Sequence, residues 1–241
     1  MRNPRIYSAQ PLQADCSIEL SENAANHVGR VLRMRPSEPL VLFNGQGGAW
    51  QGTVESVSKK SVTVYLESFI EGDAQSPLTI ELGQTLSRGE RMDYAIQKAT
   101  EAGVTGITPL WSERCEVKLN AERLDKRVKH WQQVAISACE QCGRNIVPTI
   151  HTPVKLEDWL TTRGTELNFV LHHRTREKLS GFAQPESVSL LIGPEGGLTA
   201  QEIELAEGHR FNPLALGPRV LRTETAPVVA ITLMQYLWGD Y

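Results

Sequence analysis

Two glycine-rich stretches carry the residue types best suited to hold a small molecule and act on a second one. The first is Gly193-Pro194-Glu195-Gly196-Gly197, which follows the apolar run Ser189 to Ile192. Its glycines permit positive φ and let a ligand approach bare backbone. The second is Leu216-Gly217-Pro218-Arg219, which leads into Val220-Leu221-Arg222-Thr223-Glu224. Arg222 can stabilise a developing negative charge, and Glu224 can orient a reacting group or accept its proton. A glutamate with its ordinary pKa of about 4.3 is a weak base near neutrality, so that role requires burial or a bridging water. Thr223 is equally suited to capping a following helix, with Glu224 beside its positive N-terminus. The side chain of Leu221, one residue before Arg222, is expected to be buried.

Charge narrows the ligand. A Walker loop needs G-x-x-x-x-G-K-[ST], and no Lys-Ser or Lys-Thr follows either stretch. A dinucleotide fingerprint needs G-x-G-x-x-G, which neither supplies. Glu195 would repel a polyphosphate; it suits a cation such as the sulfonium of S-adenosylmethionine, or accepts a bond from ribose hydroxyls. Cys139-Glu140-Gln141-Cys142 is a lone C-x-x-C inside a predicted helix, with no second pair and no zinc-spaced histidines, so it reads as two semi-buried thiols and no metal site is expected. His172 and His173 follow a buried strand ending at Leu171. Neighbouring strand residues point to opposite sides, which leaves His172 as a pocket-lining candidate.

The elements that position these residues follow from periodicity. Thr199 and Glu202 form a capping box for a helix after the first loop, and an apolar helix runs from about Thr225 to Trp238. Upstream, strands over Leu78 to Gln84, Ile107 to Trp111, Leu167 to Leu171 and Ser187 to Ile192 alternate with helices over Arg88 to Ala102 and Glu122 to Cys142, each helix followed by glycine. That alternation indicates an α/β domain with a largely parallel sheet. The N-terminal part differs. Ser21 caps a short helix with an Ala24, Ala25, Val28, Val31, Leu32 stripe, stopped by Pro36. Strands over Leu40 to Phe43, Ala49 to Val57 and Ser61 to Glu67, joined by tight turns, indicate a small antiparallel barrel. Polar residues 71–77 mark the boundary.

The chain has 241 residues, 40% hydrophobic, with a net charge of −3. Such a balance argues against a broadly basic nucleic-acid binder while allowing local basic patches. Arg2, Arg5, Arg30, Arg33 and Arg35 form one, and Arg114, Lys118, Arg123, Lys126, Arg127 and Lys129 another. Either is also a solvated face. No signal peptide or 18-residue apolar run is seen, and four cysteines are too sparse for a disulfide framework, so a cytoplasmic protein is expected.

The glycine stretch 193–197, followed at this distance by Leu216-Gly217-Pro218-Arg219-Val220-Leu221-Arg222-Thr223-Glu224-Thr225-Ala226, resembles the two cofactor loops of the RsmE family, within the SPOUT class of methyltransferases. The likeness extends over nearly the whole chain. It includes His27-Val28-Gly29-Arg30-Val31-Leu32-Arg33, which looks like part of the family's PUA-like RNA-binding barrel. Pro36-Ser37-Glu38-Pro39 departs from the glycine-acid turn usual in relatives, which affects one loop. The resemblance implies an α/β protein: a small PUA-like β-barrel over 1–72, then a SPOUT-type trefoil-knotted methyltransferase domain over 73–241. It also implies a homodimer that methylates N3 of a specific uridine in the 16S ribosomal RNA of the small subunit with S-adenosylmethionine. Carried onto this chain, the cofactor site comprises Leu171, His172, Ile192, Gly193, Pro194, Glu195, Gly196, Gly197, Leu216, Gly217, Val220, Leu221 and Thr223. Arg222, Glu224, Glu140 and Arg144 are the implied catalytic residues, and Arg5, Arg30, Arg33, Arg114 and Lys118 the RNA contacts. Uracil N3 carries a proton at neutral pH, so the reaction requires a base or strong stabilisation of the anion, and an unpaired uridine. A non-catalytic RNA-binding or ribosome-assembly module and a nucleotide-phosphate enzyme remain open. The intact glycines and Arg222 count against the first, the missing lysine against the second.

Overall fold

Two strands too short to show a period open the chain, β1 (Arg5–Tyr7) and β2 (Cys16–Glu19). The computed structural model describes residues 3–59, 61–72, 75–117, 121–172 and 179–241. Ser21 accepts a hydrogen bond from the backbone N of Ala24 and caps α1 (Glu22–Asn26), which runs directly into a π-helical turn over His27–Val31. There Leu32 N donates to His27 O at 2.9 Å, an i to i+5 bond. The extra residue in that turn shifts the apolar stripe. Met34 is buried, whereas Val31 and Leu32, expected on the stripe, are 68% and 40% exposed. The helix ends at Val31, before Pro36 is reached, and Arg33 follows at φ +54°.

Then come β3 (Pro39–Phe43), β4 (Ala49–Val57) and β5 (Val62–Ile70). These five strands form one sheet in the order β1-β3-β4-β5-β2. The β3-β4-β5 meander is antiparallel, as its short connections favour, and so is the β5-β2 pair. β1 lies parallel to β3, so the sheet is mixed and not wholly antiparallel. The chain between them passes through β2 and α1, a crossover that permits the parallel direction. Ile6, Val28, Leu40, Leu42, Val64 and Leu66 form the core. The first compact unit comprises Met1–Gln75 together with Cys139–Val147, a second stretch that joins it from far along the chain.

The second unit, Ser76–Ala138 with Pro148–Tyr241, alternates strands and helices. In order it contains β6 (Thr79–Thr85), α2 (Glu90–Glu101), β7 (Gly106–Trp111), α3 (Ala121–Cys142, whose last turn counts with the first unit), β8 (Thr149–Ile150), β9 (Val154–Lys155) and α4 (Leu156–Thr161). There follow β10 (Leu167–Leu171), β11 (Ser187–Ile192), α5 (Ala200–Gly208), β12 (Asn212–Leu214) and α6 (Ala226–Trp238). The strand order is β12-β10-β11-β6-β7-β8, with β9 also on β7, and every pairing is parallel. A parallel sheet is covered on both faces, which explains why Ile80, Leu82, Phe169, Val170, Val188, Leu190 and Leu191 are all fully buried.

Candidate functional site

The topology brings the two glycine stretches to one edge of the sheet. Strand β10 lies between β11 and β12, and the loops that leave β11 and β12 flank its C-terminal end. His172 N donates to Leu214 O at 3.1 Å, tying the end of β10 to that of β12. Leu171 and His172 are half-buried there, while His173 lies outside the described residues.

The first loop is a tight turn closed by Gly197 N donating to Pro194 O at 2.8 Å, with Gly197 at φ +68°. At Gly193 a Cβ would lie 2.9 Å from Leu198 Cγ and 3.0 Å from its backbone N, closer than a side chain tolerates. Ile192 and Pro194 are buried; Glu195, Gly196 and Gly197 are exposed, so bare backbone faces solvent. The capping box is present: Thr199 accepts from Glu202 N and Glu202 reaches back to Thr199 N. Glu202 also accepts from Glu113 N at 2.8 Å, which anchors the start of α5 to the end of β7.

The second loop turns at Gly217, φ +99°. Leu216 is half-buried, Val220 is 78% exposed, and Arg222 faces solvent. Leu221 is half-buried, so the expectation that it is buried is corrected: this stretch lies on the surface and only Thr223 turns inward. Thr223 does not cap the last helix. Thr225 occupies that position without a side-chain bond, because the Thr223 hydroxyl donates to Gly193 O at 2.8 Å. It also accepts from Gln84 Nε2 at 3.1 Å. The neighbouring Thr85 hydroxyl donates to Ile192 O at 2.9 Å. Two hydroxyls therefore hold the last carbonyl of β11 and the first of the loop that follows it, and one of them joins the two loops. Gln84 is 1% exposed, and its Oε1 is buried with no partner among the described residues. Its orientation follows from Thr85 O, 3.4 Å from Nε2, which can only accept.

Arg91 pairs with Glu195 at 2.8 Å, so the loop carboxylate is already matched by a cation. Both partners are over a third exposed, and such a pair contributes little to stability. Arg114, expected at an RNA phosphate, donates through Nη1 to Gly196 O at 2.9 Å and braces the first loop. Lys118 lies outside the described residues. Burial raises the Cys115 thiol, partly opposed by hydrogen bonds from Val117 and Ser112. Glu224 is half-buried beside exposed Arg222.

Glu140 and Arg144 belong to the first unit. Glu140 Oε1 accepts from Tyr7 N at 3.0 Å. Burial holds this carboxyl above its usual value, against the Tyr7 hydrogen bond and the charges of His27 and Arg5. Helix α3 stops at Cys142, so Arg144 lies beyond its end. Arg144 is 4% exposed. Arg5, expected to contact RNA, turns inward: its guanidinium donates to Arg144 O and to Asn145 Oδ1 and lies 5.0 Å from the Phe43 ring centre. Arg30 and Arg33 are exposed, as phosphate contacts need to be. The four cysteines are free, and burial pushes Cys139 up to about 12, making it inert.

Sequence reasoning missed Gln84, Thr85 and Arg91. The signal for the first two was a Gln-Thr pair closing a strand, at the end where ligands bind parallel sheets. In the second unit a cavity of about 420 Å³, lined by Trp111, Ser112, Glu113, Lys155 and Glu157 among others, includes neither glycine loop.

Residues 74–235 match the family described as RNA methyltransferase domain, and residues 20–67 match RNA methyltransferase PUA domain. The ribosomal RNA small subunit methyltransferase E of Buchnera aphidicola subsp. Acyrthosiphon pisum is 35% identical over 240 residues, covering 99% of this chain and 95% of that protein. Among solved structures, the enzyme of the same description from Neisseria gonorrhoeae, bound to S-adenosyl methionine, is 39% identical with a TM-score of 0.93 and full coverage of both chains. A Legionella pneumophila protein in complex with the bound cofactor SAM is 44% identical, with a TM-score of 0.98 and full coverage of both.

Proposed function

The chain belongs to the RNA methyltransferase family that includes the ribosomal RNA small subunit methyltransferase E proteins, and from that premise we propose that it methylates N3 of a uridine in 16S ribosomal RNA with S-adenosylmethionine. The observation that carries this reading is the Gln84–Thr223–Gly193 chain of hydrogen bonds, which fastens the two glycine loops into one wall. The residues present fit the cofactor. Exposed backbone at Glu195 to Gly197 offers polar contacts, and half-buried Leu171, Leu216 and Leu221 offer apolar surface for a flat ring. The unpartnered Oε1 of Gln84 offers a buried acceptor at the base of the loops. Ile192, Gly193, Pro194, Gly217, Val220 and Thr223 complete the set, with His172 at its edge.

When bound, S-adenosylmethionine supplies an electrophilic methyl group on a positively charged sulfur. The chain must bring an unpaired uracil beside it and favour loss of the N3 proton. Arg222, exposed and next to the fixed Thr223, meets the negative charge that develops on the uracil oxygens. Its backbone is held as well, because Arg222 O accepts from Thr225 N at 2.9 Å and Ala226 N at 3.0 Å. Glu224 orients the base or takes the proton through water. Glu140 and Arg144 also make contacts within the first unit, Glu140 with Tyr7 N and the Arg144 carbonyl with Arg5.

The division of labour follows the proposed domains: 1–72 hold RNA through Arg30 and Arg33, and 73–241 bind the cofactor through the loops at which the family's knot is threaded. A homodimer is supported by apolar side chains left exposed on α6, Leu233, Tyr236 and Leu237, with Tyr94 of the adjoining α2 and Tyr241. Among the described residues no helix is long and apolar enough to cross a membrane, and we place the protein in the cytoplasm with the ribosome. The test is methyl transfer from labelled S-adenosylmethionine to small subunits of a strain lacking the enzyme, with the product nucleoside identified by mass spectrometry. Label on N3 of one uridine is expected; cofactor binding without transfer to RNA would overturn the assignment.

A further inference from the structure

The first unit contains a pocket that the cofactor site does not use. It has a volume of about 250 Å³ and lies between the α1 end and the β4–β5 turn. Buried Ala25 and Val62 form its apolar part. Among the described residues Asn26, Arg30, Ser58, Lys59 and Ser61 give it two cations, an amide and two hydroxyls, with no acid. Among the described residues neither Arg30 nor Lys59 is paired with a carboxylate.

Both walls are built to hold their shape. On one side Ser58 and Ser61 hydroxyls are bonded at 2.9 Å, and Ser58 N donates to Ser61 O at 2.8 Å, which cinches the turn that carries Lys59. On the other side Arg30 stands in the π-helical turn, and Arg33 just beyond it adopts φ +54°. Such turns and left-handed non-glycine residues cost energy and concentrate at functional sites. The chain that leaves Arg30 also exposes Val31 and Leu32, an apolar surface against which a base can lie.

Size and charge select the ligand. The volume is below the roughly 300–1,000 Å³ of sites for whole cofactors. It suits one small anionic group and what is attached to it. We propose that this pocket binds one ribose-phosphate unit of single-stranded RNA, with the phosphate between Arg30 and Lys59 and the ribose 2′-hydroxyl against Asn26 and Ser61. The 2′-hydroxyl both donates and accepts, which an amide and a hydroxyl can match. This rests on the reading of the chain as an RNA methyltransferase, and it places recognition at the α1 end and the β4–β5 turn, away from the inward-turned Arg5.

The test uses the full chain and a labelled single-stranded oligouridylate, with binding followed by fluorescence anisotropy over a range of salt. Lys59 is exposed, so Lys59→Glu should fold normally. It is expected to weaken RNA binding at least tenfold and to reduce the salt slope by about 0.7, the share of one single-strand phosphate. Lys155→Glu makes the same change of charge at an exposed site of the second unit and should have a much smaller effect. Asn26→Ala with Ser61→Ala should narrow the preference for RNA over the matching deoxy strand. Cofactor affinity by calorimetry should not move in any of them. Wild-type RNA affinity in Lys59→Glu, or equal loss in Lys155→Glu, overturns the pocket while wild-type methyl transfer keeps the enzyme reading. Absence of methyl transfer by the wild-type chain would sink that reading itself, and the pocket proposal with it.

Discussion

Replacing Thr223 with valine keeps the branched shape and removes one hydroxyl. That hydroxyl donates to Gly193 O at 2.8 Å and accepts from Gln84 Nε2 at 3.1 Å. Thr223 is 6% exposed and Gln84 1%, so water does not easily reach the Gln84 amide, while Gly193 is half-buried. A buried polar group deprived of its partner costs about 1–3 kcal/mol. Two are affected, but Gln84 Nε2 keeps its 3.4 Å contact with Thr85 O, so the lower part of the combined range applies, about 2–4 kcal/mol. In a protein of this size each kcal/mol lowers Tm by about 2–4 °C, which gives a fall of roughly 4–16 °C. Thr223→Ser retains both bonds and should recover most of the loss. Because the bond joins the two loops, S-adenosylmethionine affinity should fall with it. Gln84→Met should cost less in the Thr223→Val background than alone, since its main partner is already gone. Calorimetry of unfolding and of cofactor binding on the single and double variants reads all of this. A valine variant with unchanged Tm and affinity, or a serine variant as damaged as the valine one, would refute the reasoning.

Arg222→Ala should lower single-turnover methylation about a hundredfold or more with both ligands saturating, and Arg222→Lys should recover part of it, because charge is kept and the planar fork lost. A near-normal rate for the alanine variant would exclude a transition-state role. Gly196→Val should weaken cofactor binding at least tenfold, about 1.4 kcal/mol, while leaving Tm nearly unchanged. A Cβ there meets Arg114 Cδ only at 3.5 Å, so the fold has room and a ligand lying on the backbone does not. Glu140, whose pKa burial raises above its ordinary value, contributes stability fully present below that ordinary value and lost as pH rises through its folded pKa. Denaturant unfolding from pH 4 to 8 should show this decline in the wild type and a flatter profile in Glu140→Gln, whose amide oxygen still accepts from Tyr7 N; identical profiles would contradict it.

The second unit was readable because its signals are local and repeated. Apolar runs of strand length, helices closed by Gly103 and Gly143, and the Thr199–Glu202 box each arise within one element. β1, β2 and β12 have three or four residues and no period to detect, so their pairing is set by distant partners. The same limit applies to side chains with two plausible uses. Thr223 was suited to a helix cap and is used by Gly193, 30 residues away in sequence. Arg5 was suited to phosphate and is used by Arg144 and Asn145. In both cases the choice depends on which acceptor the fold brings near, and sequence spacing carries no record of that.

The interrupted first unit has a consequence for biosynthesis. Its two parts, Met1–Gln75 and Cys139–Val147, are separated by the opening strands and helices of the other unit. At about 5–20 residues per second, a ribosome needs roughly 4–14 s to add residues 76–147 once the first part has been made. During that interval Tyr7 N lacks the Glu140 carboxylate, Arg5 lacks Asn145, and Gly72 O lacks the Asn145 amide. The nascent N-terminal unit thus waits, incomplete and with β1 at the edge of its sheet, while β6, α2 and β7 are already emerging. The first unit can therefore be completed only after the opening part of the second has been made, and cutting the chain at residue 75 yields a fragment without a piece of its own interior.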